Sequence, residues 1–272
     1  MSKDVAPSKV SHDALAKLFS SPLDARITQM TRILSTAAGI DSTFCFLGYS
    51  MVFVSSQLRL LSEVSPTPLL EKVSWPNTVT YKAKMLELAD SAKALGGVCS
   101  DARTFLRLWG LLKIYVGMKA LYLSPPKDSI IKYLAWGQLT AMGAYLINEN
   151  QVYLASKGVL KGRTPAQLGV KLRLAIWVFG AYLVLDFARL FRTWQVQQKA
   201  VSSDEKDVIA KREEENRSWY RSLWVDSSYF PLCFHWGVEG GSLPTQWADM
   251  VVGLLGASAG FANFREQVRI NS

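Results

Sequence analysis

Apolar residues Leu23, Ile27, Met30 and Leu34 recur at steps of three and four, the spacing of one helix face, with Arg26 and Arg32 away from it. Ser21-Pro22 just ahead supplies an N-cap and a proline at the first helical position, and Gly39 is the expected C-cap. This pattern predicts a short amphipathic helix. Between Asp41 and Arg59 the polarity changes, and 17 residues, STFCFLGYSMVFVSSQL, carry no charge. A helix crossing the hydrocarbon core wants about 20 such residues, so a buried helix and a membrane span both fit this run.

Pro66, Pro68 and Pro76 predict a break, after which a long helical period begins. Tyr81, Met85, Leu88, Ala92, Leu95, Val98, Ala102, Phe105, Trp109, Leu112 and Val116 stay on one face, and Gly96-Gly97 is the expected kink. Within DARTFLRLWGLLKIYVGMKALYL, residues 101–123, the apolar face comprises Phe105, Leu108, Trp109, Leu112, Tyr115 and Val116. Arg103 and Arg107 sit opposite and Lys113 lies at the flank, while the last third, with Lys119, is apolar nearly all round. Four basic side chains argue against a simple crossing. The segment reads as a helix that starts on a membrane surface and dips inward. Arg103, Arg107 and Lys113 would then meet headgroups, while Phe105, Leu108, Trp109 and Leu112 enter the acyl boundary. Six apolar side chains, half buried, are worth on the order of 5–8 kcal/mol, and each nearby basic residue adds about 1 kcal/mol at an anionic surface. Packing of the same stripe against neighbouring helices fits the period equally well. Lys119 either snorkels or meets another helix.

Ser124-Pro125-Pro126 turns the chain. Tyr133 to Asn148 is 16 uncharged residues, a basic loop with Lys157, Lys161 and Arg163 follows, and Thr164-Pro165 is a second cap-like helix start. Leu174 to Leu185 is a 12-residue apolar run, too short to span alone, flanked by Lys171/Arg173 and Asp186/Arg189. Residues 202–217 are a solvated charge run, read as a linker or an exposed helix extension. Met250 to Phe264 is uncharged and rich in small residues. Its glycines Gly253, Gly256 and Gly260, the last two a GxxxG step, are the candidate self-association face. The expected organisation is a polar segment 1–20, a basic helical membrane-associated region 21–201, a charged linker 202–218, and a C-terminal hydrophobic helical region 219–272 with a membrane segment. The fold class is all-α, with amphipathic helices and two or more short hydrophobic membrane helices.

Charge and chemistry narrow the picture. The net charge is +9, and between Lys72 and Arg192 there are 17 Lys/Arg against 6 Asp/Glu. Basic residues interleaved with aliphatic runs suit anionic lipid headgroups better than nucleic acid. Cys45, Cys99 and Cys233 show no metal spacing and no disulfide framework. The polar start, MSKDVAPSKVSHD, has no apolar signal region. No dinucleotide fingerprint, P-loop, nucleophile elbow or zinc-protease motif is present. Of the two histidines, His235 near Cys233 is a packing or interfacial residue sooner than half of a nucleophile pair. Gly237 to Gly241 reads as a turn. Hence no catalytic residue, metal or cofactor is assigned.

The order of these features resembles the peroxin-11 family of peroxisomal membrane-remodelling proteins. The resemblance rests on the basic amphipathic helix from Asp24 to Thr36 and on Ser100-Asp101-Ala102-Arg103 with Arg107-Leu108. It rests further on the aspartate-containing apolar stretch from Val225-Asp226 to Trp236, and on Leu254-Leu255-Gly256-Ala257-Ser258. Arg103-Thr104 and Leu108-Trp109 depart from the family's Arg-Lys-x-x-Arg-Leu-Gly pattern, as a divergent fungal "C" or animal gamma-like branch would. The resemblance implies a self-associating helical protein of the peroxisomal membrane. It also implies elongation of that membrane before fission, with a dynamin-like GTPase and its membrane adaptor as partners. A solute channel or carrier in the same membrane is the alternative, for which Gln138, Asn148, Gln151 and Asp186 are candidate polar lining residues.

Overall fold

Two helix starts form as the local sequence dictates. Ser21 accepts a hydrogen bond from the Asp24 amide at 3.3 Å ahead of Pro22, opening α1, Pro22–Leu34. Thr164 and Gln167 form a reciprocal capping box, with bonds of 3.3 and 3.1 Å, ahead of α6, Pro165–Lys199. The computed structural model describes residues 16, 17, 19, 21–63, 78–199 and 206–272, and no strand occurs among them. Between α1 and α6 lie α2, Ala37–Glu63, α3, Thr78–Leu106, a 3₁₀ turn, Arg107–Trp109, α4, Gly110–Leu123, and α5, Ser129–Ser156. After α6 come α7, Lys206–Gly237, and α8, Thr245–Ile270. The fold is all-α.

Three expectations change in three dimensions. Gly39 is not a C-cap: α1 ends at Ser35, and Gly39 belongs to α2, so close to α1 that a Cβ there would lie 1.9 Å from the Ile33 carbonyl oxygen. Gly96-Gly97 does not kink α3, because Gly96 is instead a contact point where a Cβ would come 3.0 Å from the Gly48 carbonyl of α2. The interruption falls later, at the 3₁₀ turn, where Arg107 turns inward. The 12-residue run from Leu174 extends through its charged flanks into the 35 residues of α6, which with α2 is long and apolar enough to cross a membrane. That continuation is possible because the flanking charges find partners: Asp186 receives Arg189, and Arg173 meets Glu239.

The charge run survives as an exposed helical extension from Lys206. Its start at 202–205, most of the 1–20 segment and the Pro66–Pro76 break lie outside the described residues. α8 does not reach the hydropathy that α2 and α6 reach, so the apolar helices long enough to span differ from the C-terminal segment expected to do so.

Packing runs from neighbour to neighbour. α2 lies between α3 and α8; α7 touches α8 and α6; α5 packs on α6 and carries α4 on its other side. The continuous α3–turn–α4 segment thus joins the first neighbour to the last. An aromatic column fills the middle, with Tyr49 stacked on Trp236, Tyr229 edge-on to Tyr49 and Phe179, and Phe179 against Tyr145.

Candidate membrane-contact surface

Many large apolar side chains face outward while several polar ones are buried, which departs from the usual distribution of a water-soluble fold. Buried positions include Ala89, Ala175 and Ala259, the three cysteines, and Ser42, Ser55, Ser56, Gln138, Glu149, Asp186 and Asp226. Ile33, Leu146, Leu183, Leu190 and Leu232 are buried with them, but many other large apolar side chains face outward, among them Trp109, Leu112, Tyr115 and Val116 on or beside α4, Trp177 and Phe191 on α6, and Leu254 and Phe261 on α8. Soluble monomers rarely expose contiguous apolar surface on this scale. In lipid the same arrangement is favourable, since small residues allow close helix approach and polar residues turn inward to one another.

The residues singled out between 101 and 113 divide between two environments. Phe105, Trp109, Leu112 and Lys113 are exposed, the aromatic pair with ring centroids 5.5 Å apart, whereas Leu108 is half-buried. Arg103 and Arg107 do not face outward, contrary to their expected position among headgroups. Arg103 Nε donates to Asp41 at 3.0 Å and its guanidinium lies 6.0 Å from the Tyr49 ring centroid. Arg107 holds Glu149 through two parallel bonds, Nε at 2.8 Å and Nη2 at 2.7 Å, while Tyr145 donates to the same carboxylate at 2.5 Å. The reason is chemical: a bidentate carboxylate satisfies a guanidinium within an apolar assembly far better than a lipid tail could. Sequence reasoning missed Asp41 and Glu149. The available signals were two arginines opposite an apolar stripe and a lone Glu149 within a long apolar helix.

Lys113 and Lys119 are different. Both are exposed on α4, a helix without one buried residue, and neither meets a carboxylate among the described residues.

The proposed self-association glycines face their own chain. A Cβ at Gly253 would lie 2.5 Å from the Phe53 backbone nitrogen, at Gly256 2.3 Å from the Tyr49 ring, and at Gly260 2.6 Å from the Phe46 nitrogen. This stripe is therefore the seat of α2. The expectation that it meets a second copy is corrected, because the space a partner helix would need is filled within the monomer.

The polar residues considered for a conduction path do not converge. Asn148 bonds back to the Ala144 carbonyl of its own helix, Gln151 takes Lys171, Asp186 takes Arg189, and Gln138 alone opens to a groove. His235 orders the α7–α8 turn, its Nδ1 accepting from the amides of Ser242 and Leu243 at 3.1 and 3.2 Å, beside Gly240 and Gly241 at positive φ. All three cysteines are buried and free.

At the ends of the long helices, ion pairs mark a polar edge. Asp128 caps α5 through the Ile131 amide at 3.0 Å and accepts from Arg192 Nη2 at 2.8 Å; the Arg192 hydrogen bond, then the amide, hold its carboxyl below the usual range. Hydrogen bonding to Asp101 likewise raises Lys157 above the ordinary lysine value.

The feature best suited to lie along a membrane surface is α1. Leu23 and Ile27 are each 57% exposed, Leu34 is exposed beside them, and Arg26 and Arg32 are exposed off that stripe. A two-residue connection ties α1 to the apolar helix α2, with the Thr36 hydroxyl accepting from the Gly39 amide at 3.0 Å. Gln29 anchors the polar side to the Val268 carbonyl of α8 at 3.1 Å.

Compared with known proteins, the chain is similar over residues 77–232 to the family described as Peroxisomal biogenesis factor 11 (PEX11). Neither a curated protein nor a solved structure gave a match.

Proposed function

Because the chain belongs to the Peroxisomal biogenesis factor 11 family, whose members are peroxisomal membrane proteins of peroxisome proliferation and not an enzyme family, we propose that it shapes that membrane by wedging α1 into one leaflet. The observation that carries this reading is the uncovered apolar stripe of α1 beside a helix able to span. Leu23, Ile27 and Leu34, already half exposed, would contribute on the order of 3–4 kcal/mol on entering the acyl boundary. Arg26 and Arg32 would add about 1 kcal/mol each at an anionic surface. Anchoring by α2 and α6 holds α1 beside the bilayer at high effective concentration, so that this modest affinity suffices for insertion.

Phe105, Trp109, Leu112 and Lys113 extend the lipid contact, while Arg103, Arg107 and Leu108 position that edge from behind. Local concentration of wedges requires self-association, which would use surfaces other than the glycine face of α8. Elongated membrane would then be a substrate for fission machinery that includes a dynamin-like GTPase and its adaptor.

The test is reconstitution of the full chain into anionic vesicles, followed by electron microscopy. Wild-type protein should draw out tubules. Leu23→Asp combined with Ile27→Asp should abolish them while leaving the protein resistant to carbonate extraction. Equal tubulation by this variant would remove α1 from the mechanism.

A further inference from the structure

Helices α6 and α7 run antiparallel, and two contacts fix their register. Trp219 Nε1 donates to the Leu190 carbonyl at 2.8 Å, and a Cβ at Gly180 would lie 3.8 Å from the Cys233 Cβ. Between these contacts Asp186 of α6 comes opposite Asp226 of α7, and their carboxyl groups are within hydrogen-bonding contact. The two residues are only 4% and 5% exposed. Phe187 and Phe230 pack edge to face across the same seam, ring centroids 5.6 Å apart, and Leu183 and Leu190 are buried along it. Asp186 lies six residues before Arg192, about 9 Å at the rise of an α-helix. The pair is therefore inside the apolar layer and not at the edge marked by Asp128 and Arg192.

The charges at this seam do not balance. Arg189 commits Nε, at 2.9 Å, and Nη2 to a single oxygen, Asp186 Oδ1. Asp226 Oδ2 is buried and receives no hydrogen bond. Ser228, two residues on and also buried, spends its hydroxyl on the Trp224 carbonyl at 2.9 Å. Tyr182 of α6 is the remaining titratable group that feels the pair. On α7 itself, Tyr229 one turn on is engaged with Cys45 Sγ at 3.1 Å. The charged residues of α8, the other helix packed on α7, are Asp249, Arg265, Glu266 and Arg269 toward its ends, and none of them acts on Asp226. Two carboxylates thus face one guanidinium.

An unmatched carboxylate within an apolar assembly is costly, and two in contact resist ionising together. One proton removes both penalties, because it cancels the surplus charge and lets one carboxyl donate to the other. A metal ion fits the donor set less well, since two carboxylates are too few to satisfy a hard cation and Arg189 already brings positive charge to them. We propose that Asp186 and Asp226 form a proton-binding dyad joining α7 to α6 within the membrane, which holds one proton at neutral pH while Arg189 balances the remaining charge. The dyad depends only on the packing of α6 against α7, and it stands whether or not α1 shapes the membrane.

The experiment uses the full chain in a maltoside detergent, which has no carbonyl group of its own. Carbon-13 in the side-chain carboxyl marks every aspartate, and infrared difference spectra are recorded between neutral and alkaline pH. Wild-type protein should show the carbonyl band of one protonated aspartate per chain at neutral pH, replaced by carboxylate absorption in alkali. Asp226→Asn and Asp186→Asn should each abolish the band, since Arg189 then balances the carboxylate that remains. Melting temperatures identify a variant that fails to fold, and the wild-type spectrum decides the matter without it. Absence of a protonated aspartate band at neutral pH overturns the site. A band that survives in folded Asp226→Asn overturns the assignment, and one that survives in folded Asp186→Asn shows a proton held by Asp226 alone and overturns the dyad. Loss of the wild-type band when sodium chloride replaces choline chloride at fixed pH overturns the proton as occupant in favour of a metal ion. None of these outcomes bears on tubulation, so failure here is distinct from failure of the wedge.

Discussion

The two halves of the segment from Asp101 to Leu123 carry the same kind of charge and meet opposite fates. Arg103 and Arg107 turn into the helical assembly, where Asp41 and Glu149 wait on α2 and α5. Lys113 and Lys119, roughly two and three turns beyond Arg107, stay on the outer surface and meet no carboxylate among the described residues. Composition treats these four residues alike. What separates them is an acid placed 62 residues earlier for Arg103 and one placed 42 residues later for Arg107. A basic residue in an apolar run is therefore evidence of lipid contact only when no partner helix supplies its counter-charge.

The most forceful way to break this comparison is to orphan the buried member. Glu149→Gln should destabilise the protein by roughly 2–4 kcal/mol, the figure for an uncompensated buried charge reduced for the partial exposure of Arg107. Arg107→Leu with Glu149→Leu should regain most of that loss, seen as recovery of the melting temperature in mild detergent. If the single and double variants melt together, the pair is not what holds the turn against α5.

Next in size is the seam between α2 and α8. Gly256→Leu should cost roughly 1–3 kcal/mol by overpacking against Tyr49, without changing crosslinked oligomer yield in native membranes. A drop in oligomer yield at unchanged melting temperature would return the glycine face to a contact between copies.

The exposed pair should show the reverse profile. Lys113→Gln with Lys119→Gln should shift stability by no more than about 0.5 kcal/mol, while weakening preference for anionic over neutral vesicles by about 1 kcal/mol per residue. Raised salt should erase that preference in the wild type. An equal preference in the variant would mean that neither lysine meets headgroups.

The smallest effect expected is on pH dependence. Arg192 lowers the Asp128 carboxyl below its unfolded value, so the stability it adds is present above the ordinary carboxylate range and is lost as pH falls through the lowered value. Asp128→Asn keeps an N-cap but should flatten this part of the acid limb, measured by thermal unfolding between neutral and acid pH. An unaltered limb would assign the acid sensitivity to other carboxylates.

Much of the local architecture follows from the chain alone, because its causes lie within one helical turn. Ser21-Pro22 and Thr164-Pro165 start helices through side-chain caps, Ser124-Pro125-Pro126 ends one through steric exclusion, and Leu23, Ile27 and Leu34 share a face through the 3.6-residue period. The candidate surface is legible to the same extent: periodicity distinguishes the Phe105–Trp109–Leu112 face from the Arg103–Arg107 face. It is silent on what covers either one. A stripe of glycines has the same period whether it receives α2 of its own chain or a helix of another. A guanidinium has the same position on the helix whether it meets Glu149 or a phosphate. Tertiary structure decided those matters, since contact energies between residues tens of positions apart depend on which helices become neighbours, and no local property of Gly256 or Arg107 encodes that choice.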